Sequence, residues 1–209
     1  MKINLIFFLA LFQLIIVLAL IYSLFFKEES IQITEDLKPC EPLVISKKVI
    51  EEPVISQEEC KGEYGVNWDN CYGTFSSPDG AKYVGQWKKG MQHGYGTYTG
   101  KNGSYVGQWL YGKQDGYGTL TYSSGMIYSG EWYEDEYHGQ GTLTLPDGAS
   151  YVGTWNFMKM HGYGTFTYPD CTKYIGEFRN DRKHGQGTLT LPDGKKIEGR
   201  WKNDKHNPH

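Results

Sequence analysis

The chain has 209 residues, a formal net charge of −3, and a composition rich in glycine (27), tyrosine (17) and tryptophan (6). So small a net charge gives no basis for binding nucleic acid or an acidic substrate, and we expect no nucleic-acid partner. Glycine and aromatic residues suit short strands joined by tight turns, which makes a helical fold a poor candidate for most of the chain.

The first element is an apolar segment, residues 3–26, which carries no charged side chain. As a helix it would be about 36 Å long, enough to cross a hydrocarbon core of about 30 Å with some tilt. A cleaved signal peptide is the alternative, but the segment is long for one and has no small-x-small cleavage pattern. We predict that residues 1–26 form a single-pass transmembrane anchor. By a margin of one charge, Lys2 favours a cytosolic N-terminus.

Residues 27–59 are acidic, with four lysines against nine acidic side chains, and contain three prolines that favour an extended chain. One interpretation is a spacer that is repelled by an anionic bilayer surface. The other is that the apolar pairs at 44–45 and 54–55 add strands to a sheet edge, in this molecule or in a partner. We favour the spacer, because isolated apolar pairs are common in tethers.

A short motif then recurs to the end of the chain, beginning with Tyr83-Val-Gly-Gln-Trp87. Each copy is followed by an Asp-Gly or His-Gly pair and then by Tyr-Gly-Thr or Gln-Gly-Thr. The copies start at residues 83, 105, 128, 151 and 174. A fixed period of this length indicates an array built from one supersecondary unit, stacked into a single body.

Within each copy, large and small residues alternate with a period of two, which is the pattern of a β-strand. We predict one hairpin per copy, with an aromatic face and an opposite face of Thr, Val, Gln and Glu. Turns such as Pro146-Asp-Gly148 would join the hairpins. The glycine between the two rings recurs in every copy although it weakens a strand, so close packing must require it.

The motif Tyr-x-Gly-x-Trp-x-x-Gly-x-x-His-Gly-x-Gly-Thr resembles the MORN (membrane occupation and recognition nexus) repeat. The resemblance implies an all-β fold: an elongated, twisted, single-layer antiparallel sheet of stacked hairpins that serves as a binding or scaffolding surface. It also implies an association with phospholipids or dimerisation in some members, and it does not imply an enzyme. The predicted β domain, residues 60–209, divides into a degenerate unit 60–82, full units 83–104, 105–127, 128–150, 151–173 and 174–196, and a half unit 197–209.

The first candidate site is the aromatic face, because a single-layer sheet has nothing of its own to cover such a face and contiguous aromatic surface usually marks a partner site. We predict a groove there for a peptide, a helix or a second copy of the chain. Its residues are the opening Tyr and Trp of four units: Tyr83, Trp87, Tyr105, Trp109, Tyr128, Trp132, Tyr151 and Trp155.

A second candidate site is the basic C-terminal stretch, where anionic lipid headgroups are a candidate ligand. Its residues are Arg179, Arg182, Lys183, Lys195, Lys196, Arg200, Lys202 and Lys205.

The cysteines and histidines were considered as covalent or metal sites. In an oxidising compartment Cys60 could bond Cys71 or Cys40 and staple the N-terminal cap, whereas in the cytosol all four thiols would stay reduced. Five histidines share one repeat position, but equivalent positions would lie about 9.6 Å apart, too far to share a metal ion. We predict no metal site and no cofactor. No nucleophile with a base and no paired carboxylates point to catalysis.

These observations predict a membrane-anchored, non-enzymatic scaffold that binds a protein partner through its aromatic face. One alternative is a lipid-headgroup-binding tether between two membranes. The other is an accessory subunit of a larger membrane complex. A homodimer is a further candidate assembly, because the sheet has two open ends.

Overall fold

The computed structural model describes residues 58–65 and 67–207. The predicted anchor, residues 1–26, and residues 27–57 of the predicted linker lie outside the described residues. Within the described ranges, no helix is long and apolar enough to cross a membrane.

The described chain forms one twisted, open antiparallel sheet in which every strand pairs with its neighbours in sequence. This confirms the predicted all-β, single-layer arrangement of stacked hairpins. The strands are β1 (Cys71–Ser76), β2 (Lys82–Lys88), β3 (Met91–Gly100), β4 (Gly103–Leu110), β5 (Lys113–Tyr122), β6 (Ile127–Tyr133), β7 (Glu136–Thr144), β8 (Ser150–Asn156), β9 (Lys159–Thr167), β10 (Lys173–Arg179), β11 (Arg182–Thr190), β12 (Lys196–Lys202) and β13 (Lys205–Asn207).

Each repeat contributes one hairpin whose two strands are joined by a two-residue turn. Both central residues of these turns have positive φ, for example Asn180 (49°) and Asp181 (66°), as in a type I′ turn. Such turns match the right-handed twist of the flanking strands. The tight turns therefore all lie at one end of the strands, which we call the hairpin edge. The connections between repeats lie at the other end of the strands.

A line of paired glycines crosses the sheet from Gly73 to Gly199. The register places each glycine opposite the next one, as with Gly107 and Gly118. Just beyond this line, the pairing between the two strands of each full repeat contains a register shift. The glycine of the His-Gly pair accommodates the shift, and its φ is +58° at Gly94. This β-bulge explains why the motif has a glycine after the histidine, because the residue there must adopt positive φ.

The N-terminal cap differs from a full hairpin. The degenerate unit 60–82 contains only one strand, β1, and Glu59 forms an isolated parallel bridge with Tyr72 at its edge. Trp68 is buried and packs edge to face on Trp87, with ring centroids 5.2 Å apart. The cap thus continues the aromatic packing of the repeats with a residue from a loop.

Candidate interaction surfaces

The eight predicted residues of the aromatic face come together, but they form the core of the protein. Their side chains are between 0 and 7% exposed. The rings themselves therefore do not offer a free contact surface, and the hypothesis of a partner bound to this face has to involve the residues that surround them.

The opening tyrosine of each unit is buried because its ring lies flat over the glycine line. A β-carbon at Gly107 would come within 2.6 Å of the Tyr105 hydroxyl oxygen. That hydroxyl donates a hydrogen bond of 3.0 Å to the carbonyl of Gln108. Burial raises the pKa of the Tyr83, Tyr105, Tyr128, Tyr151 and Tyr174 hydroxyls well above the usual range of tyrosine.

The opening tryptophan of each unit links that unit to the one before it. The Trp132 indole N–H donates to the carbonyl of Gly118 at 3.1 Å, and its ring meets the Tyr105 ring edge to face, with centroids 5.2 Å apart. The same contacts recur along the chain, so tyrosine and tryptophan rings form a continuous edge-to-face ladder. Such pairs add to the free energy of burial. At Phe178 the ring contacts persist without an indole N–H.

Around these rings, the outer surface of the aromatic face is a row of half-buried side chains that pack against the core. There is one per unit: Tyr98, Leu120, Leu143, Phe166 and Leu189. Together with Phe75, Met160 and Ile197, this row is apolar surface on that side of the sheet that another segment or molecule could contact.

The opposite face, which we call the tyrosine face, presents Tyr95, Tyr117 and Tyr163 over a line of Thr, Val and Ile side chains. Tyr117 is 63% exposed and Tyr163 is 64% exposed. The register brings Thr97 opposite Val106 and Val106 opposite Thr119, so β-branched residues continue across the strands. Our sequence reasoning missed these tyrosines. The signal was available, because each stands between two glycines of the other face in Gly-Tyr-Gly-Thr and must alternate away from them.

A family comparison decides what these units are. The MORN repeat model matches five stretches, residues 83–104, 105–127, 128–150, 151–170 and 174–196, which together make up more than half of the chain. The chain is a MORN-repeat protein. The resemblance expected from the motif is thereby confirmed.

Other comparisons add little. No curated protein matches the chain. Among solved structures, the SAS-4 (dCPAP) TCP domain of Drosophila melanogaster, in complex with a proline-rich motif of Ana2 (dSTIL), is 16% identical, with a TM-score of 0.35 over 62% of this chain and 90% of that one. A catalytically inactive virginiamycin B lyase from Staphylococcus aureus with quinupristin is 16% identical, with a TM-score of 0.19 over 63% of this chain and 41% of that one. At these TM-scores neither similarity bears on the MORN sheet or on its function.

Six of the eight basic residues proposed for lipid binding share one side of the sheet, and Lys183 and Lys195 do not. Arg200 and Lys196 belong to β12 on the side of the tyrosine face, and Lys195 lies in the turn at the opposite edge. Four exposed residues flank two neighbouring tight turns along the hairpin edge: Arg179, Arg182, Lys202 and Lys205. By strand alternation these four lie on the same side of the sheet as Lys196 and Arg200. The lipid-headgroup hypothesis stays a prediction for these six residues.

Lys183, the eighth of these residues, packs into the protein. Its Nζ lies 5.2 Å from the centroid of the Trp201 ring and 5.6 Å from that of Tyr174, and it donates a hydrogen bond to the Tyr168 hydroxyl at 3.1 Å. Contacts of this kind hold a cation over ring faces. Lys183 therefore stabilises the last MORN units and is not available to a headgroup.

The repeated histidines do not form a metal site. Among residues 58–65 and 67–207, no group of three or more potential ligands is close enough to hold a metal ion. The His93 ring packs on Tyr111 of the next tight turn, with centroids 4.9 Å apart, and its Nδ1 has no hydrogen-bond partner among the described atoms. Burial, and secondarily the charge of Lys88, lowers the pKa of His93. The His138 ring packs on Phe157 of the next tight turn in the same way, with centroids 5.4 Å apart, whereas His206 Nε2 lies 2.9 Å from the carbonyl oxygen of Glu198.

The cysteines are oxidised in the described region. Cys60 and Cys71 bond to each other, which is the first of the two alternatives drawn from the sequence. A β-carbon at Gly73 would lie 3.0 Å from Cys60 Sγ, so this disulfide lies over the glycine line next to Trp68. It closes the N-terminal end of the aromatic core.

Proposed function

We propose that this protein is a non-enzymatic scaffold, anchored in a membrane by its N-terminal segment, that binds a protein partner on its tyrosine face. MORN repeats are in general non-enzymatic scaffolds, and the chain carries five of them. The observation that carries the proposal is the open exposure of Tyr117 and Tyr163 on a surface of β-branched side chains.

The composition of the tyrosine face favours a protein over a lipid surface. Tyrosine is enriched at the centres of protein interfaces, and charged residues are depleted there. In the middle of the central strands β3 to β9 this face presents Thr, Val, Ser, Gln and Tyr, with Glu131 as a charged residue among them. Lys113, Glu136 and Lys159 lie on the same side at the strand ends, beside the tight turns. An anionic bilayer would require a cluster of lysines and arginines instead.

The membrane anchor belongs to the proposal for a separate reason. Residues 3–26 are long enough and apolar enough to span a bilayer, and Lys2 favours a cytosolic N-terminus. This orientation would put the MORN units on the far side of the membrane. The Cys60–Cys71 disulfide supports the same side, because disulfides persist in oxidising compartments and are rare in the cytosol.

The proposal is tested by co-purification of partners with the full-length chain in mild detergent. Tyr117→Ala with Tyr163→Ala should remove a stoichiometric partner that the wild-type chain retains. The control is Tyr111→Ala, a tyrosine of a tight turn that is 46% exposed. This control should retain the partner.

The alternatives give different results in the same experiment. Recovery of anionic lipid without a protein would favour the lipid tether, and recovery of a large assembly that survives the Tyr117/Tyr163 substitutions would favour the accessory subunit. Either result would contradict binding of one partner on the tyrosine face.

A further inference from the structure

Cys171 stands at a turn position where a cysteine is disfavoured. Its φ is +72°, and the equivalent residue in four other turns between units is a glycine with φ between +84° and +90°. Those glycines are Gly80, Gly125, Gly148 and Gly194. A non-glycine residue is strained in this conformation, so a contact of the cysteine side chain has to compensate for the strain.

Cys171 is in fact disulfide-bonded. The sequence has four cysteines, and Cys60 and Cys71 are bonded to each other, which leaves Cys40. We propose that Cys40 bonds Cys171 and that residues 41–57 lie along the aromatic face of the sheet. The occupant of that face is then a segment of this chain, and the inference does not depend on the partner proposed for the tyrosine face.

The length of the segment fits a path of this kind. One end is held beside β1, where the amide of Tyr72 donates to the carbonyl of Glu58 at 2.9 Å. The other end is at Cys171, between β9 and β10, about 40 Å away at about 4.8 Å per strand spacing. The 18 steps from residue 40 to residue 58 reach about 60 Å at most, so the segment is long enough to span this distance.

Burial indicates which face the segment follows. Ala149 is 3% exposed, although it lies in the turn next to that of Cys171 and is not part of the aromatic cluster. The equivalent residues Ala81 and Met126 are only half-buried. By alternation Ala149 is on the same side as Tyr151, the aromatic face, whereas Tyr163 on the other side is 64% exposed.

The chemistry of the two surfaces is complementary. The segment carries apolar side chains in three short groups, Leu43 to Ile45, Val49 with Ile50, and Val54 with Ile55. The aromatic face offers the half-buried row Tyr98, Leu120, Leu143 and Phe166. Burial of apolar side chains against this row would remove them from water and stabilise this path.

The disulfide is tested by peptide mapping of the full-length chain, alkylated and digested with trypsin without reductant. We expect a cross-linked species that joins residues 28–47, which contain Cys40, to residues 160–173, which contain Cys171. Alkylated Cys40, Cys40 bonded to the Cys60 or Cys71 peptide, or a dimer through Cys171 on a non-reducing gel would each overturn the pairing.

The path of the segment is tested by hydrogen exchange on the full-length chain. Cys171→Gly places the usual turn residue at this position, so the sheet should stay folded. Exchange of the amides between residues 44 and 55 should rise at least about ten-fold in this variant. The same rise should follow from Leu143→Ala with Phe166→Ala, and not from Tyr117→Ala with Tyr163→Ala.

The opposite pattern, or segment amides that exchange at the same rate in wild type and Cys171→Gly, would overturn the placement on the aromatic face. Partner binding separates the two proposals, because it should survive Cys171→Gly and be lost with Tyr117→Ala and Tyr163→Ala.

Discussion

The hydroxyl of Tyr105 occupies the space above Gly118 that a β-carbon at residue 118 would need. The same hydroxyl donates to the carbonyl of Gln108, which keeps the ring flat on the sheet. A glycine and a tyrosine are therefore one packing element, and it is repeated in the units that follow.

Gly118→Ala should destabilise the protein because the new methyl group would displace the Tyr105 ring and, with it, its edge-to-face contacts on Trp109 and Trp132. We expect a loss of about 3 kcal/mol in the free energy of unfolding, at the upper end for an overpacked core. Chemical denaturation measures this loss. The control is Gly65→Ala, where an added β-carbon meets no atom within 4 Å, and equal effects of the two substitutions would contradict the packing element.

Phe178→Trp should stabilise the protein. Trp155 and Trp201, at the equivalent position of the flanking units, donate to the carbonyls of Gly141 and Gly187 at 3.2 and 3.1 Å. A tryptophan at residue 178 could donate to Gly164 in the same way, and we expect a gain of about 1 kcal/mol. Trp155→Phe is the matched reverse change and should cost a similar amount in the same denaturation experiment. A destabilised Phe178→Trp variant would show that the space there is fitted to phenylalanine.

Substitutions in the turn Phe157-Met158 should stabilise the protein. Both residues have positive φ, 47° and 63°, and the Met158 sulfur accepts the Tyr137 amide at 3.2 Å. In the next tight turn a carboxylate oxygen of Asp181 accepts a hydrogen bond of 2.9 Å from the Met160 amide. Asn and Asp tolerate positive φ better than Phe and Met do.

We therefore expect Phe157→Asn with Met158→Asp to raise the free energy of unfolding by about 1 kcal/mol, as backbone strain is relieved. The reverse change, Asn180→Phe with Asp181→Met, should lower the denaturation midpoint. If the two double variants had the same free energy of unfolding, the identity of the side chains in these turns would not affect stability.

The protein should unfold cooperatively in alkali. Burial raises the pKa of five repeated tyrosines in the folded state, while in the unfolded chain a tyrosine loses its proton near pH 10. Below pH 10 both states keep the proton and stability is unaffected. Above pH 10 the unfolded state binds fewer protons, so stability falls as pH rises.

Tyrosinate absorbance near 295 nm would follow this reaction, since the absorbance of the buried tyrosines should appear only together with loss of the β-sheet circular dichroism signal. Full ionisation of all tyrosines with an intact sheet would contradict the buried ladder.

The period and the alternation determine the sheet in this protein. A unit of 23 residues with aromatic, glycine and aromatic residues at every second position has room for two strands and two turns, and stacking copies is the way to bury its rings. Pairing of each strand with its sequence neighbours follows from the short connections. The glycine between the rings predicted a close approach, and the structure shows that the Tyr105 ring lies over it.

The tertiary structure alone decided which aromatic residues are surface and which are core. Tyr105, two residues from Gly107, and Tyr117, between Gly116 and Gly118, both belong to the alternating pattern of a strand, and only the first was predicted to be a binding residue. Tyr105 is fully buried because its ring lies on the glycine line and is enclosed by two tryptophans, whereas Tyr117 is on the face that has no such line. The cysteines follow the same logic. Sequence left two partners open for Cys60, and only the fold of the cap over Gly73 brings Cys60 and Cys71 within bonding distance.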